Sequence, residues 1–208
     1  MDRYGLPPVE IEARSLQLVE GAIPACSGWT SEARDVVKRM VYAAGDLALA
    51  GLAHVHPDAV DAGLEAIRAG APIVCDVRMV ATGLRACANP VRVAVSTDFS
   101  TDATAAGITR AAAGMRQLAS DLEGGLAVIG NAPTALLALL DMVDAGICQP
   151  ALIIGVPVGF VAAAESKQEL MKRATPFITV EGSRGGSPVA AAAMNALLLL
   201  AGSQPGQT

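Results

Sequence analysis

The sequence predicts a three-layer α/β/α fold around a mainly parallel sheet of about five strands. Three observations predict it. Short runs of branched apolar residues alternate with longer Ala- and Leu-rich segments, the pattern of strand–helix units joined by crossovers. Each short run is almost continuously apolar, as in strands covered by helices on both faces. Hydrophobic residues make up 52% of the chain but aromatics only 3%, so the core rests on Ala, Val, Leu and Ile, which suit close helix–sheet packing.

In chain order, residues 9–20 and 31–44 read as two helices ahead of the first strand. Pro57 precedes a helix over 58–69, and Gly70 follows it as a residue tolerant of a left-handed cap. "PIVCDV" (72–77) and "VRVAVS" (91–96) are the first two strands. Thr101-Asp102 could start a long central helix over 101–120. "LAVIG" (126–130), helix 132–145, "ALIIGV" (151–156), helix 163–172 and "FITVE" (177–181) continue the alternation. Ser187-Pro188 places a cap residue and a proline at the start of a last helix, 188–201. His56, just before Pro57, reads as a loop residue, and His54 as a surface or loop residue. No second domain, repeat or linker is visible, so residues 1–208 read as one domain with a loose tail at about 203–208.

The bulk numbers exclude several classes. A net charge of −5 argues against a nucleic-acid binder, which shows a basic face, but leaves room for an anionic small ligand held by a few arginines. Cys26, Cys75, Cys87 and Cys148 are far apart and form no C-x-x-C, so they read as reduced thiols of a cytoplasmic protein. The N-terminus is charged and Pro-rich, unlike a signal peptide. Residues 145–164 carry no formal charge until Glu165, yet Gln149-Pro150, Gly155, Pro157 and Gly159 break the run, which fits strand and loop and not a membrane span.

Ligands of such folds bind beyond the carboxyl ends of the strands. Those ends carry Asp76 with Met79, Ser96-Thr97, "GNAPT" (130–134), "GVPVGF" (155–160) and "EGSRGGS" (181–187). No G-x-G-x-x-G, P-loop or G-x-S-x-G stands there, and no Cys or carboxylate stands at a metal-ligand spacing from the two histidines. The Gly130–Ala132 turn offers backbone N–H groups at a helix N-terminus, either as an anion site using Asn131 and Ala132 or as a plain turn capped by Asn131. Arg184, flanked by Gly182, Gly185 and Gly186, sits on backbone that a ligand can approach closely, suited to a carboxylate or phosphate. "GITRAAAGMR" adds Thr109, Arg110 and Arg116, and "IEARS" adds Arg14 and Ser15. Arginines beside glycine-rich strand ends, among alanines that leave room, point to a bulky acidic ligand.

These segments together resemble the precorrin-8X methylmutase family of cobalamin biosynthesis, including its cobalt-precorrin-8 branch. "HPDAVDAGLEAIRAGAPIVCDVRMVATGL", "GITRAAAGMR", "VIGNAPTALLALLDMVDAG", "PALIIGVPVGFVAAAESKQEL" and "VEGSRGGSPVAAAAMNALL" carry the resemblance. They run in family order over about residues 9–201. The resemblance implies a Rossmann-like fold, a homodimer with its site near the interface, and no organic cofactor. It implies an isomerase that moves a methyl group between adjacent ring-C carbons of a carboxylate-fringed macrocycle, giving hydrogenobyrinate or cobyrinate. It also implies that Arg14, Ser15, Asp76, Met79, Thr109, Arg110, Arg116, Asn131, Ala132, Arg184 and Gly185 meet the substrate.

The family uses a histidine, in an R-M-V-H-A-x-G segment, to protonate or hydrogen-bond a ring nitrogen. Here the segment reads "RMVYAAG", and Tyr42 stands in that place. Ala111 likewise replaces the serine of the family's "GITRS". A phenol holds its proton more firmly than an imidazolium does, so tyrosine is better suited to donating a hydrogen bond than to complete proton transfer. Two readings follow: an isomerase in which Tyr42 is the donor, and a relative that binds corrinoid with little or no turnover.

Overall fold

The computed structural model describes residues 5, 7–24, 28–95 and 107–202. Six strands form one sheet in the order β1-β6-β5-β4-β2-β3. They are β1 (Ala53–Val55), β2 (Ile73–Cys75), β3 (Val91–Val93), β4 (Leu126–Ile129), β5 (Leu152–Gly155) and β6 (Phe177–Val180). All neighbours are parallel except β1, which runs antiparallel to β6 with His54 opposite Thr179.

β2, β4, β5 and β6 are buried at every residue, as continuous apolar runs predict for strands covered on both faces. β3 departs from that expectation: Val91 and Arg92 are exposed because the strand closes one edge of the sheet. β1 was not foreseen. Three residues carry too little periodicity to declare a strand, and His54 belongs to β1 and not to a loop, although its side chain is at the surface as expected.

One layer holds α1 (Pro8–Ala22), α2 (Ser31–Ala44), α3 (Ala59–Arg68), α4 (Arg78–Gly83) and α9 (Ser187–Gly202). The other holds α5 (Arg110–Gln117), α6 (Ala119–Leu122), α7 (Pro133–Asp144) and α8 (Ala163–Leu170). α2 begins at the cap Thr30, whose hydroxyl accepts from Ala33 N, and stops at Gly45, which adopts the left-handed conformation at φ 63°. Its buried face is Ala33, Val36, Val37, Met40 and Val41, packed chiefly against α9. α9 answers with alanines: Ala190, Ala193 and Ala196 are buried beside Met194 and Leu197. Each large side chain buried there contributes about 1.5–3 kcal/mol, and the alanines let the two helix backbones approach.

The long helix expected over 101–120 differs in its described part. Thr109 caps α5 by accepting from Ala112 N, Leu118 interrupts the run, and α6 follows. The expected start at Thr101-Asp102 lies outside the described residues, as do Ser96-Thr97 and Cys26. Cys75, Cys87 and Cys148 are unpaired thiols, and burial pushes the Cys75 thiol up to about 12. Among the described residues no helix is long and apolar enough to cross a membrane. Residues 145–164 form the turn after α7, β5, the loop that follows and the first two residues of α8.

Candidate functional site

The strand order reverses between β2 and β4, so the crevice of the fold opens where Asp76 follows β2 and Gly130 follows β4. Asp76 itself fills it. Its side chain is fully buried; Oδ2 accepts from Asn131 N and Ala132 N, both at 2.7 Å, and Oδ1 from Val77 N and Gly130 N at 2.9 and 3.2 Å. Burial pushes this carboxyl pKa up, and the four backbone donors offset part of that push. The anion bound by the 130–132 turn is therefore the chain's own carboxylate. α7 begins after Ala132, with no side-chain cap, and Asn131 does not cap it. Asp76, expected among the substrate contacts, acts on the site by shaping this turn.

Three glycine-rich strand ends meet at this end of the sheet. A Cβ on Gly130 would lie 2.8 Å from Ser187 Cα, and one on Gly185 would lie 2.2 Å from the Val156 carbonyl. These two glycines are required for backbone-to-backbone approach, and at φ 142° Gly185 also adopts a conformation that other residues rarely take. Gly186 N donates to Val156 O at 2.9 Å and Gly159 N to Ser183 O at 3.1 Å, so the 182–186 loop is laid across the end of β5. Arg184 reaches from it to Asp46, Nε to Oδ2 at 2.7 Å, with about half of the guanidinium side chain exposed. Asp46 uses its other oxygen to cap the 3-10 turn Leu47–Leu52 through Ala48 N.

Two cavities adjoin here. One, of about 390 Å³, is lined by Ala43, Asp46, Val158, Phe160, Arg184 and Gly185 among others. The second, of about 450 Å³, runs along the outer groove between the end of α2 and α9, lined by Arg39, Tyr42, Ala43, Arg85, Asn195 and Leu199. Ala43 belongs to both walls. Tyr42 lies off the buried face of α2, is 42% exposed, and its hydroxyl has no hydrogen-bond partner among the described residues. The alanines beside it, Ala43, Ala192 and Ala196, keep the groove open.

Other expected contacts lie elsewhere. Arg14 is exposed on α1, and the Ser15 hydroxyl donates to the Ile11 carbonyl of the same helix. Met79 is exposed on α4. Thr109 shares a hydrogen bond with Thr134 at 2.7 Å, tying the start of α5, and with it Arg110, to the 130–134 turn. Arg116 stands six residues further along α5. None of these lines the two cavities.

Three residues escaped sequence reasoning. Arg85, just past α4, is exposed into the Tyr42 groove, and no carboxylate lies within ion-pair distance among the described residues. Asn195 pins its segment, accepting from Arg85 N and donating to Gly83 O, both at 2.8 Å. Lys167 is fully buried on α8, its Nζ donating to the Arg184 carbonyl at 2.5 Å. Its sequence signal was a lysine on a helix face otherwise made of the uncharged Ala163, Ser166 and Leu170.

Burial pushes the Lys167 ammonium down to about 8. In the unfolded chain a lysine titrates near about 10.4, so between these values the unfolded state binds more protons and stability rises with pH. Urea unfolding of the protein against Lys167→Met from pH 7.5 to 10 should show the unsubstituted chain gaining up to about 1.4 kcal/mol per pH unit on the variant. Parallel curves would refute the buried charge.

Fold and site define a doubly wound α/β protein whose cavities are walled by small residues and edged with arginine. The precorrin-8X methylmutase family model matches residues 10–200, and the chain belongs to this family of isomerases. It is 40% identical over 202 residues to the cobalt-precorrin-8 methylmutase of Priestia megaterium, covering 94% of this chain and 89% of that one. It is 44% identical over 178 residues to the precorrin-8X methylmutase of Pseudomonas aeruginosa, covering 82% and 86%. The crystal structure of the precorrin-8X methylmutase from Thermus thermophilus superposes with a TM-score of 0.82 at 39% identity, covering 93% of this chain and 96% of that one.

Proposed function

We propose that the protein moves a methyl group between adjacent ring-C carbons of precorrin-8X or its cobalt form, with Tyr42 as the hydrogen-bond donor to the macrocycle. The observation that supports this role is the place of Tyr42: the residue at the family's histidine position lines an open groove, its hydroxyl without a partner among the described residues. The migrating group is already part of the substrate, so the protein's task is to bind, orient and favour one charge distribution. Arg184 and Arg85 hold carboxylates, one in each of the two neighbouring cavities, Arg184 exchanging its bond to Asp46 for a substrate carboxylate. Arg14, Arg110 and Arg116 meet carboxylates further out on the fringe, Thr109 keeps Arg110 beside the 130–134 turn, and Asn131 with Ala132 forms the wall that Asp76 fixes.

The single domain works in the cytoplasm as a homodimer with the site near the interface. Exposed apolar side chains support this: Phe160 at the smaller cavity is 97% exposed and Leu199 in the groove 47%, surface that a second copy would cover. Light scattering after size exclusion should return twice the chain mass of 21.0 kDa; a monomer would remove the interface from the reading.

The test of function is to mix purified protein with precorrin-8X, and separately with its cobalt form, and follow the visible spectrum as the chromophore rearranges. Catalytic conversion of either form is expected. Stoichiometric binding with no conversion of either would leave a corrinoid carrier and overturn the enzyme.

A further inference from the structure

Among the described residues, Lys167 is a fully buried cation whose placement the fold alone does not explain. A fully buried cation is costly unless paired. Among the described residues no carboxylate lies within ion-pair distance of Nζ, and burial is what lowers its affinity for the proton. Its hydrogen bond goes to a single backbone carbonyl, that of Arg184. A methionine or leucine would fill the same space on α8 without this cost, so the ammonium serves something other than packing.

The surroundings show what it serves. The 182–186 loop carries Arg184 and Gly185 into the smaller cavity, and backbone bonds hold its flanks: Gly186 N to Val156 O and Ser183 O to Gly159 N. Between these, the Arg184 peptide has one tether from below, Lys167 Nζ, and one from its side chain, Asp46. The side-chain tether must open if the guanidinium is to take a substrate carboxylate. Only the tether from Lys167 then fixes the Arg184 backbone while the side chain changes partner. The ammonium also places a positive charge directly under backbone that faces an anion, where low polarity strengthens its field.

We propose that Lys167 is a positioning residue for substrate binding, holding the Arg184 peptide from beneath so that guanidinium and Gly185 backbone meet a substrate carboxylate in one fixed geometry. This rests on the isomerase reading for its kinetic consequence but not for its structural one. The test pairs Lys167→Met, which keeps most of the stem and removes the donor, with Lys167→Gln, which returns a neutral donor on a shorter arm.

Removal of one charge-assisted hydrogen bond predicts a KM about tenfold higher for Lys167→Met, with kcat within about twofold. Lys167→Gln should recover part of the KM. The melting temperature of Lys167→Met should be no lower than that of the unsubstituted protein, since a buried unpaired charge is gone. By hydrogen–deuterium exchange, the Gly186 amide of Lys167→Met should exchange about ten times faster while β5 and α8 keep their protection. An unchanged KM with a lower melting temperature would reduce Lys167 to a packing residue and overturn the proposal, and so would unaltered exchange in the loop. If the unsubstituted protein converts neither macrocycle, the isomerase reading fails, and the exchange experiment alone still decides the role of Lys167.

Discussion

Tyr42→Phe should lower kcat about 100-fold with KM within a few-fold, the pattern of an interaction made in the transition state and not in the ground state. The phenol is the only polar atom removed. Because Tyr42 is 42% exposed and off the buried face of α2, unfolding free energy should change by less than about 0.5 kcal/mol. Tyr42→His provides the opposing arm. An imidazolium gives up its proton near neutral pH, where a phenol does not, so kcat should rise about tenfold or more. The groove tolerates the exchange, since the neighbours Ala43, Ala192 and Ala196 leave space for either ring. Equal kcat for the Phe variant, measured by the same spectral change, would remove the hydroxyl from the mechanism.

The second large effect concerns stability. Asp76→Ala leaves four backbone N–H groups, those of Val77, Gly130, Asn131 and Ala132, without their acceptor. Each buried donor left unpaired costs about 1–3 kcal/mol. Water reaches the exposed Asn131 side of the turn, so the expected loss is about 3–5 kcal/mol and not the full sum. Asp76→Asn should cost less, because its oxygen still accepts two of the four bonds while its NH2 group faces the other two N–H donors. Urea unfolding at neutral pH checks both; a variant within about 1 kcal/mol of the parent would show that the turn holds itself. The consequence for function is indirect, since the same turn touches Ser187 through Gly130 and so sets the base of the 182–186 loop.

Much of the fold was legible because apolar periodicity is a local property. The runs 126–130, 151–156 and 177–181 became β4, β5 and β6 within a residue or two of their bounds, and α2, α3, α7 and α9 fell within a residue of the expected bounds. β1 was not legible: its existence depends on β6, 123 to 127 residues further along, bringing Thr179 opposite His54. α4, only six residues long, also lacked a pattern of its own.

The site divides differently. Sequence resemblance picked out Tyr42, Arg184 and Gly185, and the structure sets them along two cavities that share Ala43. It did not separate residues that face a ligand from residues that build the surface. Asp76 and Arg184 look alike in the sequence, a charged group after a strand, yet one is buried under four N–H groups and the other half exposed.

The sequence by itself thus determined the layers, the mainly parallel sheet and the family, because each of those is written in the spacing and order of neighbouring residues. Only the tertiary structure decided which polar groups are spent internally. Whether the N–H groups of 130–132 await a ligand or hold Asp76, and whether Lys167 meets water or the Arg184 carbonyl, depends on chain segments that lie 54 and 17 residues apart. A buried polar group must find its partner wherever the packed chain offers one, and no local pattern records where that is.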